Sequence, residues 1–200
     1  MPIGKFSYCW DSCVFISLLT GQGRTPEDLA NLRRLETLVD IGAVTIFTAS
    51  ITVIEVLACY LTEEQEAAFK SLLQRTNVMP VSVTMRISER ARDIRNYYRK
   101  KGMEIAVPDS IHLATASIYK AAALHTFDGC GKRQRKTDLL KLELPLAEKY
   151  HLKICKPAPP EELESEDPIE PIEPHEEMGN LFAEIEDAKL LPASVETDES

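Results

Sequence analysis

From Ile41 to Leu61 the chain carries a single charge, Glu55, over a length that could cross a bilayer. Gly42, Thr45, Thr48, Ser50, Thr52 and Glu55 interrupt the run, and no Lys or Arg closes it at either end. The membrane reading is therefore set aside in favour of two elements of a globular domain. Ala43 to Phe47 suits a strand buried on both faces, and Ser50 to Leu61 reads as the helix that follows it. A strand with no polar face belongs in a parallel sheet with helices above and below. Strands alternating with helices along the rest of the chain then predict a mainly parallel α/β sheet covered on both faces.

The remaining periodicities agree. Lys5 to Trp10 predicts a strand, and Asp11-Ser12 caps a helix through about Leu19 that Gly21-Gln22-Gly23 stops. Pro26 opens a helix in which Leu29, Leu32, Leu35, Leu38 and Val39 recur at helical spacing up to Gly42. Thr62 to Gln74 is a further helix, Val78 to Val83 a strand, and Met85 to Lys101 a helix with Ile87, Ala91, Ile94 and Tyr98 on one face. Asp109 to Tyr119 is helical after Pro108, Ala122 to Phe127 is a strand leading into the turn Asp128-Gly129, and Leu152 to Cys155 is the last strand.

Charge divides the chain. Residues 1–155 hold 21 Lys and Arg against 17 Asp and Glu, whereas residues 156–200 hold 2 against 15. Seven of the twelve prolines lie from Pro157 onward, with a repeated Pro-Ile-Glu in Pro168 to Glu173. Residues 1–156 are accordingly expected to form the folded domain, and 157–200 an acidic, Pro-rich, disordered tail. Within that tail Leu181, Ile185 and Leu190 fall near one helical face. Cys9, Cys13, Cys59, Cys130 and Cys155 show no paired CxxC spacing, which argues against a tetrahedral zinc site and for a reduced, cytoplasmic setting. The N-terminus lacks the basic, apolar and small-residue series of a secretory leader, and no membrane partner is expected.

Several acids sit where chemistry could use them. Helical rotation places Glu55 among Ile51, Ile54, Ala58 and Leu61, where an unpaired charge would cost several kcal/mol. Either a cation lies close by, or the helix lines a polar cleft, or Glu55 is an ion-paired or partly exposed edge residue. Asp11 and Asp128 stand where predicted strands end, the edge at which open parallel sheets bind ligands, although each is also explained as a cap or turn residue. Asp109 begins a helix, where the dipole favours an anion in any case. His112, one turn later, reads as a structural histidine, with a catalytic role as the alternative.

Four local patterns together resemble the PIN-domain ribonucleases, in particular the VapC-type toxins of toxin–antitoxin pairs. They are Tyr8-Cys-Trp-Asp11-Ser12 with its apolar helix, Ser50 to Leu57 around Glu55, Val107 to Ala116 around Asp109, and Leu124 to Gly129 around Asp128, at separations of 44, 54 and 19 residues. The resemblance implies a PIN-like three-layer fold with helices on both faces of a mainly parallel sheet. It further implies that Asp11, Glu55, Asp109 and Asp128 are catalytic metal ligands, supported by the hydroxyls of Ser12 and Thr126. Cys13 departs from the family pattern, standing where Asn or another small polar residue is common.

The physics of such a cluster points the same way. Two carboxylates about 4 Å apart repel by roughly 4 kcal/mol at an effective dielectric near 20, so converging acids need cations to remain ionised. Mg²⁺ or Mn²⁺ suits an all-oxygen set. The activity implied is metal-dependent hydrolysis of RNA phosphodiester bonds, with RNA as substrate, a separate antitoxin protein as partner and a homodimer as the expected assembly. A catalytically weak PIN-like module that binds RNA or protein is the alternative, and a small-molecule phosphatase a third reading. Lys132, Arg133, Arg135 and Lys136 form a candidate RNA-binding cluster beside the Asp128 turn, and Arg92, Arg95 and Arg99 a second basic stripe. The tail has three open uses: solubility, competition with RNA for basic surface, and docking of another protein.

Overall fold

The computed structural model describes residues 6–129, 137–142 and 152–163. Strands β1 (Phe6–Trp10), β2 (Val44–Ala49), β3 (Val78–Val81), β4 (Ala123–His125) and β5 (Lys153–Cys155) form one sheet in the order β3-β2-β1-β4-β5. Every neighbouring pair is parallel, with Tyr8 opposite both Ile46 and Ala123. All five strands therefore end at the same edge of the sheet. All six residues of β2 are buried, as its apolar sequence requires.

The helices are α1 (Ser12–Thr20), α2 (Pro26–Asp40), α3 (Ile51–Leu57), α4 (Glu63–Gln74), α5 (Met85–Arg99) and α6 (Val107–Ile118). On one side of the sheet α5 and α6 pack together over β1, β2 and β4. There Cys9, Phe47, Leu124 and Ile154 meet Ile87, Ala91, Ile94, Tyr98 and Leu113 in a continuous buried cluster. The next residue of β1 points the opposite way, as strand alternation demands. Trp10 meets Phe15 of α1 edge-on, and Phe15 in turn meets Phe69 of α4, at ring-centroid distances of 5.2 and 5.7 Å. Full burial of each such ring contributes about 1.5–3 kcal/mol, so this aromatic chain is a principal tie between α1, α4 and the sheet.

Local chemistry sets the ends of the elements. Thr25 and Asp28 form a reciprocal capping box with Pro26 in the first turn of α2, and Thr62 and Gln65 do the same for α4. Gly21, at φ 64°, ends α1 in the left-handed conformation. The expected helix from Ser50 to Leu61 is shorter than its pattern suggested, since α3 ends at Leu57. Its inner side is Thr52 and Val56, while Ile54 is 71% exposed. The apolar grouping of Ile51, Ile54, Ala58 and Leu61 around Glu55 is thus a property of the sequence that the helix does not use. Likewise α6 begins at Val107, which puts Asp109 within its first turn.

Beyond β5 the chain stays packed: Pro157, Pro159 and Pro160 are buried, and one compact unit runs to Glu161. Lys156 Nζ lies 3.1 and 3.3 Å from the two carboxylate oxygens of Asp28, which joins this exit to the start of α2. Burial raises the Asp28 carboxyl pKa, but the hydrogen bonds from Lys156 and Thr25 outweigh it and leave the group below its usual value. The basic cluster Lys132, Arg133, Arg135 and Lys136, and the tail from residue 164 with its apolar helical face, lie outside the described residues. Among the described residues no helix is long and apolar enough to cross a membrane.

Two predictions follow from this packing. His125 stacks on Tyr8 at 4.3 Å and accepts a hydrogen bond at Nδ1 from Trp10 Nε1, and burial, helped by the charge of Lys153, pushes its pKa down to about 3. The unfolded chain takes up a proton near the ordinary histidine pKa of about 6.5 that the folded chain refuses until far lower pH, so stability declines as pH falls through that window, by up to about 1.4 kcal/mol per pH unit. Urea titrations at about pH 7.5 and pH 5 should show wild type losing about 2 kcal/mol more than His125→Gln; equal losses would place the acid sensitivity elsewhere. Gly129, at φ 143°, leaves only 2.9 Å between an added Cβ and Leu140 Cβ. Gly129→Ala should cost about 1–3 kcal/mol, read as a lowered denaturation midpoint, because both the backbone and the Leu140 contact resist it.

Candidate metal centre

The common edge of the parallel strands gathers side chains from four segments. Asp11 follows β1, Glu55 lies in α3 just after β2, His112 lies in α6, and Thr126 follows β4. One ligand atom each from Asp11, Glu55 and His112 fall within 4.8 Å of one another. His112 Nε2 is 2.9 Å from Glu55 Oε2 and 3.4 Å from Asp11 Oδ1. Asp11 and His112 are buried, whereas the Glu55 side chain keeps 26% of its surface in contact with solvent. Glu55 therefore stands at the solvent side of the cluster.

Asp11 is held by an unusually full set of donors. Its Oδ1 accepts from the Ser12 backbone N–H at 2.7 Å and from Ser12 Oγ at 3.3 Å. Its Oδ2 accepts from Thr126 Oγ1 at 2.8 Å and from Cys13 Sγ at 3.2 Å. Ser12 and Thr126 thus both donate to Asp11. Cys13 also meets Thr126 Oγ1 at 3.4 Å and accepts the Phe127 N–H at 3.2 Å, so the departure from the family pattern still supplies a donor to Asp11. Burial and the Asp11 charge hold the Cys13 thiol well above its usual pKa, which keeps the hydrogen it donates.

The segments that carry Asp11 and Glu55 are also tied together from beneath. Thr48 Oγ1 of β2 donates to the carbonyl of Trp10 at 2.8 Å. Its single hydrogen is spent there, so the 2.6 Å contact with Thr52 Oγ1 of α3 must be donated by Thr52. This buried relay fastens the end of β1 to the helix that carries Glu55.

Asp109 and Asp128 stand further out. Asp109 lies one turn before His112, close enough for its charge to act on the imidazole. Asp128 organises its own turn: its N–H donates to Thr126 Oγ1 at 2.9 Å, its Oδ2 accepts from Leu139 N at 3.1 Å, and its carbonyl accepts from Leu140 N at 3.0 Å. Among the described residues, the tight group is thus Asp11, Glu55 and His112, with Asp109 and Asp128 outside it. Burial pulls the His112 pKa down, but the Glu55 hydrogen bond and the charges of Asp11, Glu55 and Asp109 outweigh it and leave it raised.

Two participants were not assigned to the site from sequence. His112 read as structural because a single histidine on a mixed helix face gives no sign of what it will meet, and only its placement beside Glu55 and Asp11 shows it. Arg24 places its guanidinium 4.1 Å from the Phe127 ring and donates from Nε to Ser17 Oγ at 2.7 Å, which brings a cation beside the turn that carries Thr126 and Asp128. It belongs to a Gly-rich turn with no motif to mark it.

The tight group offers two carboxylates and an imidazole, with the Cys13 thiol kept protonated, and carboxylate oxygens suit a hard divalent cation. Asp11 and Glu55 are the carboxylates that would hold such an ion.

Comparison with known proteins agrees with the geometry. No curated protein is matched by sequence. In solved structures, a chain of Rickettsia felis VapBC2, crystallised with a DNA fragment from its promoter, is 16% identical, with a TM-score of 0.50 over 74% of this chain and 97% of the other. It shares the fold. FitAcB of Neisseria gonorrhoeae (17% identity, TM-score 0.47, 75% of this chain and 97% of the other) and Mycobacterium tuberculosis VapC20, a sarcin-ricin-loop-cleaving toxin (17%, 0.48, 62% and 91%), are more distant likenesses. The sequence profile of the PIN domain matches residues 8–137, which include β1 to β4 and all four acids of the sequence motifs, and the chain therefore belongs to the PIN domain family.

Proposed function

We propose that this chain is a metal-dependent endoribonuclease that hydrolyses RNA phosphodiester bonds, and that it is the toxin of a toxin–antitoxin pair. The observation that carries the reading is the convergence of Asp11 and Glu55, 44 residues apart in sequence, on one buried cluster at the carboxyl edge of the sheet in a chain of the PIN family. Unrelieved, two carboxylates so placed repel by several kcal/mol, and a fold that also gives one of them four donors is invested in keeping it ionised.

Asp11 and Glu55 are the inner ligands in this reading, and Asp109 and Asp128 complete the set. Mg²⁺ or Mn²⁺, when bound, supplies Lewis acidity toward the scissile phosphoryl group and acidifies the attacking water. Ser12, Cys13 and Thr126 orient Asp11. The partly open position of Glu55 gives the substrate its way in. Arg24 and the loop cations Lys132, Arg133, Arg135 and Lys136 are assigned to the RNA backbone, where charge fixes position without reading sequence. The nuclease domain is the compact unit that ends at Glu161, and the acidic segment beyond it is an appendage that the chemistry does not require. An antitoxin and a second copy of the chain are the protein partners, both carried by the resemblance to VapC-type toxins.

Cleavage of single-stranded and loop RNA should require added Mn²⁺ or Mg²⁺ and stop on chelation. Asp11→Asn keeps the contact with the Ser12 N–H but loses charge. It should lower the cleavage rate by about 100-fold or more, equivalent to about 3 kcal/mol of transition-state stabilisation, while its thermal midpoint stays level or rises as repulsion with Glu55 is relieved. Wild-type cleavage rates in Asp11→Asn, or RNA left intact by wild type at saturating Mn²⁺, would overturn the assignment.

A further inference from the structure

The geometry of His112 raises a question that the metal centre leaves open: whether this imidazole is a ligand or serves the ligands. By proximity alone it qualifies as a ligand, since its Nε2 lies with Asp11 and Glu55 inside the same 4.8 Å group. Its other nitrogen decides the matter. His112 is fully buried, and Nδ1 has no hydrogen-bond partner among the described residues. A histidine that binds a metal through one nitrogen carries its hydrogen on the other, and metal sites almost always give that N–H a carboxylate, a carbonyl or a water. Ligation through Nε2 would here force an N–H onto Nδ1 and bury it without an acceptor, at the full desolvation penalty of an unpaired donor. The opposite tautomer also leaves Nδ1 unpaired, as an acceptor, but it offsets that cost with a donor that the neighbouring carboxylates accept. With the hydrogen on Nε2, Nε2–H points at Glu55 Oε2, 2.9 Å away, with Asp11 Oδ1 at 3.4 Å.

We propose, on the reading of this cluster as a metal centre, that His112 is a positioning residue and not a ligand: its Nε2–H bridges Glu55 and Asp11 and sets the gap between them, leaving the cation an all-oxygen environment. Glu55 needs such a device more than Asp11 does. Asp11 has four other donors, whereas Glu55 lies on a seven-residue helix, partly in solvent, and the only side-chain partner of its carboxylate among the described hydrogen bonds is His112. The buried ring therefore holds the exposed ligand. A further consequence is selectivity, because imidazole draws zinc, copper and nickel while carboxylates alone favour magnesium and manganese.

The test uses the full chain with Mn²⁺ as the probe. Electron spin-echo modulation of bound Mn²⁺ should show no directly coordinated imidazole nitrogen, and the ¹⁵N shifts of His112 in metal-free protein in alkaline buffer should report hydrogen on Nε2 with Nδ1 bare. His112→Gln offers an amide N–H toward Glu55 and should bind Mn²⁺ far more nearly like wild type than His112→Ala, for which removal of an outer hydrogen-bond partner predicts about 10- to 100-fold weaker binding. An imidazole nitrogen among the ligands, hydrogen on Nδ1, or a Gln variant as weak as the Ala variant would each overturn the proposal while leaving the metal centre standing. Wild-type chain that bound no Mn²⁺ would overturn the metal-centre reading, and this proposal with it. Should the Ala variant fail to fold, the two spectroscopic readouts on wild type still decide.

Discussion

The repulsion between Asp11 and Glu55 is the constraint around which this domain is organised. Left alone, two carboxylates in one cluster would push each other apart. Three features oppose that. Asp11 is wrapped by Ser12, Cys13 and Thr126, all of which donate to it. Glu55 is left partly in water, where its charge is cheaper to keep. His112, wholly buried, stands between the two. The division of labour follows burial: the inner acid is stabilised by many short hydrogen bonds, and the outer one by solvent and a single strong partner.

Such an arrangement can persist only if the backbone beneath it is rigid, and the parallel sheet provides that. Because β1, β2 and β4 run in register toward the same edge, residues immediately after them are brought close without any long loop reaching across. Asp11 N–H continues the ladder by donating to the His125 carbonyl at 3.1 Å, so the acid begins exactly where the strand stops. The Thr48 and Thr52 hydroxyls then fasten β1 to α3 from below. Buried hydroxyls are tolerated where every hydrogen is used, and here the relay from Thr52 through Thr48 to the Trp10 carbonyl uses both.

What the amino-acid order discloses follows from how local each signal is. The both-faced apolar character of β2, the helix starts at Pro26 and near Thr62, and the stripe Ile87, Ala91, Ile94 and Tyr98 on α5 are decided by near neighbours in the chain, and the structure reproduces them. The extent of α3 is not. Its apolar residues continue past Leu57, yet the helix stops there and exposes Ile54, because the buried direction is chosen by contact with α1 and with Thr48 of β2 and not by the helix's own composition. The acids were legible as a set only through their order and spacing. Individually, Asp11 is a cap and Asp128 a turn residue, and the structure shows both doing those jobs as well. His112 and Arg24 were not legible as site residues, since their importance lies in what folds against them.

Cys13 shows how a departure from a family pattern can leave the chemistry intact. A side-chain amide or hydroxyl at this position could donate to Asp11; a thiol donates more weakly and over a longer reach, which the 3.2 Å contact reflects. It can do so only while it keeps its hydrogen, and burial next to the Asp11 carboxylate makes loss of that hydrogen unfavourable. The sulfur also accepts the Phe127 N–H, so the same atom links Asp11 to the backbone that leaves β4 toward Asp128. An apolar residue of similar size would strand that N–H and remove one of the four donors on Asp11. The position therefore tolerates sulfur because it needs an atom that donates on one side and accepts on the other, and a protonated thiol meets both needs.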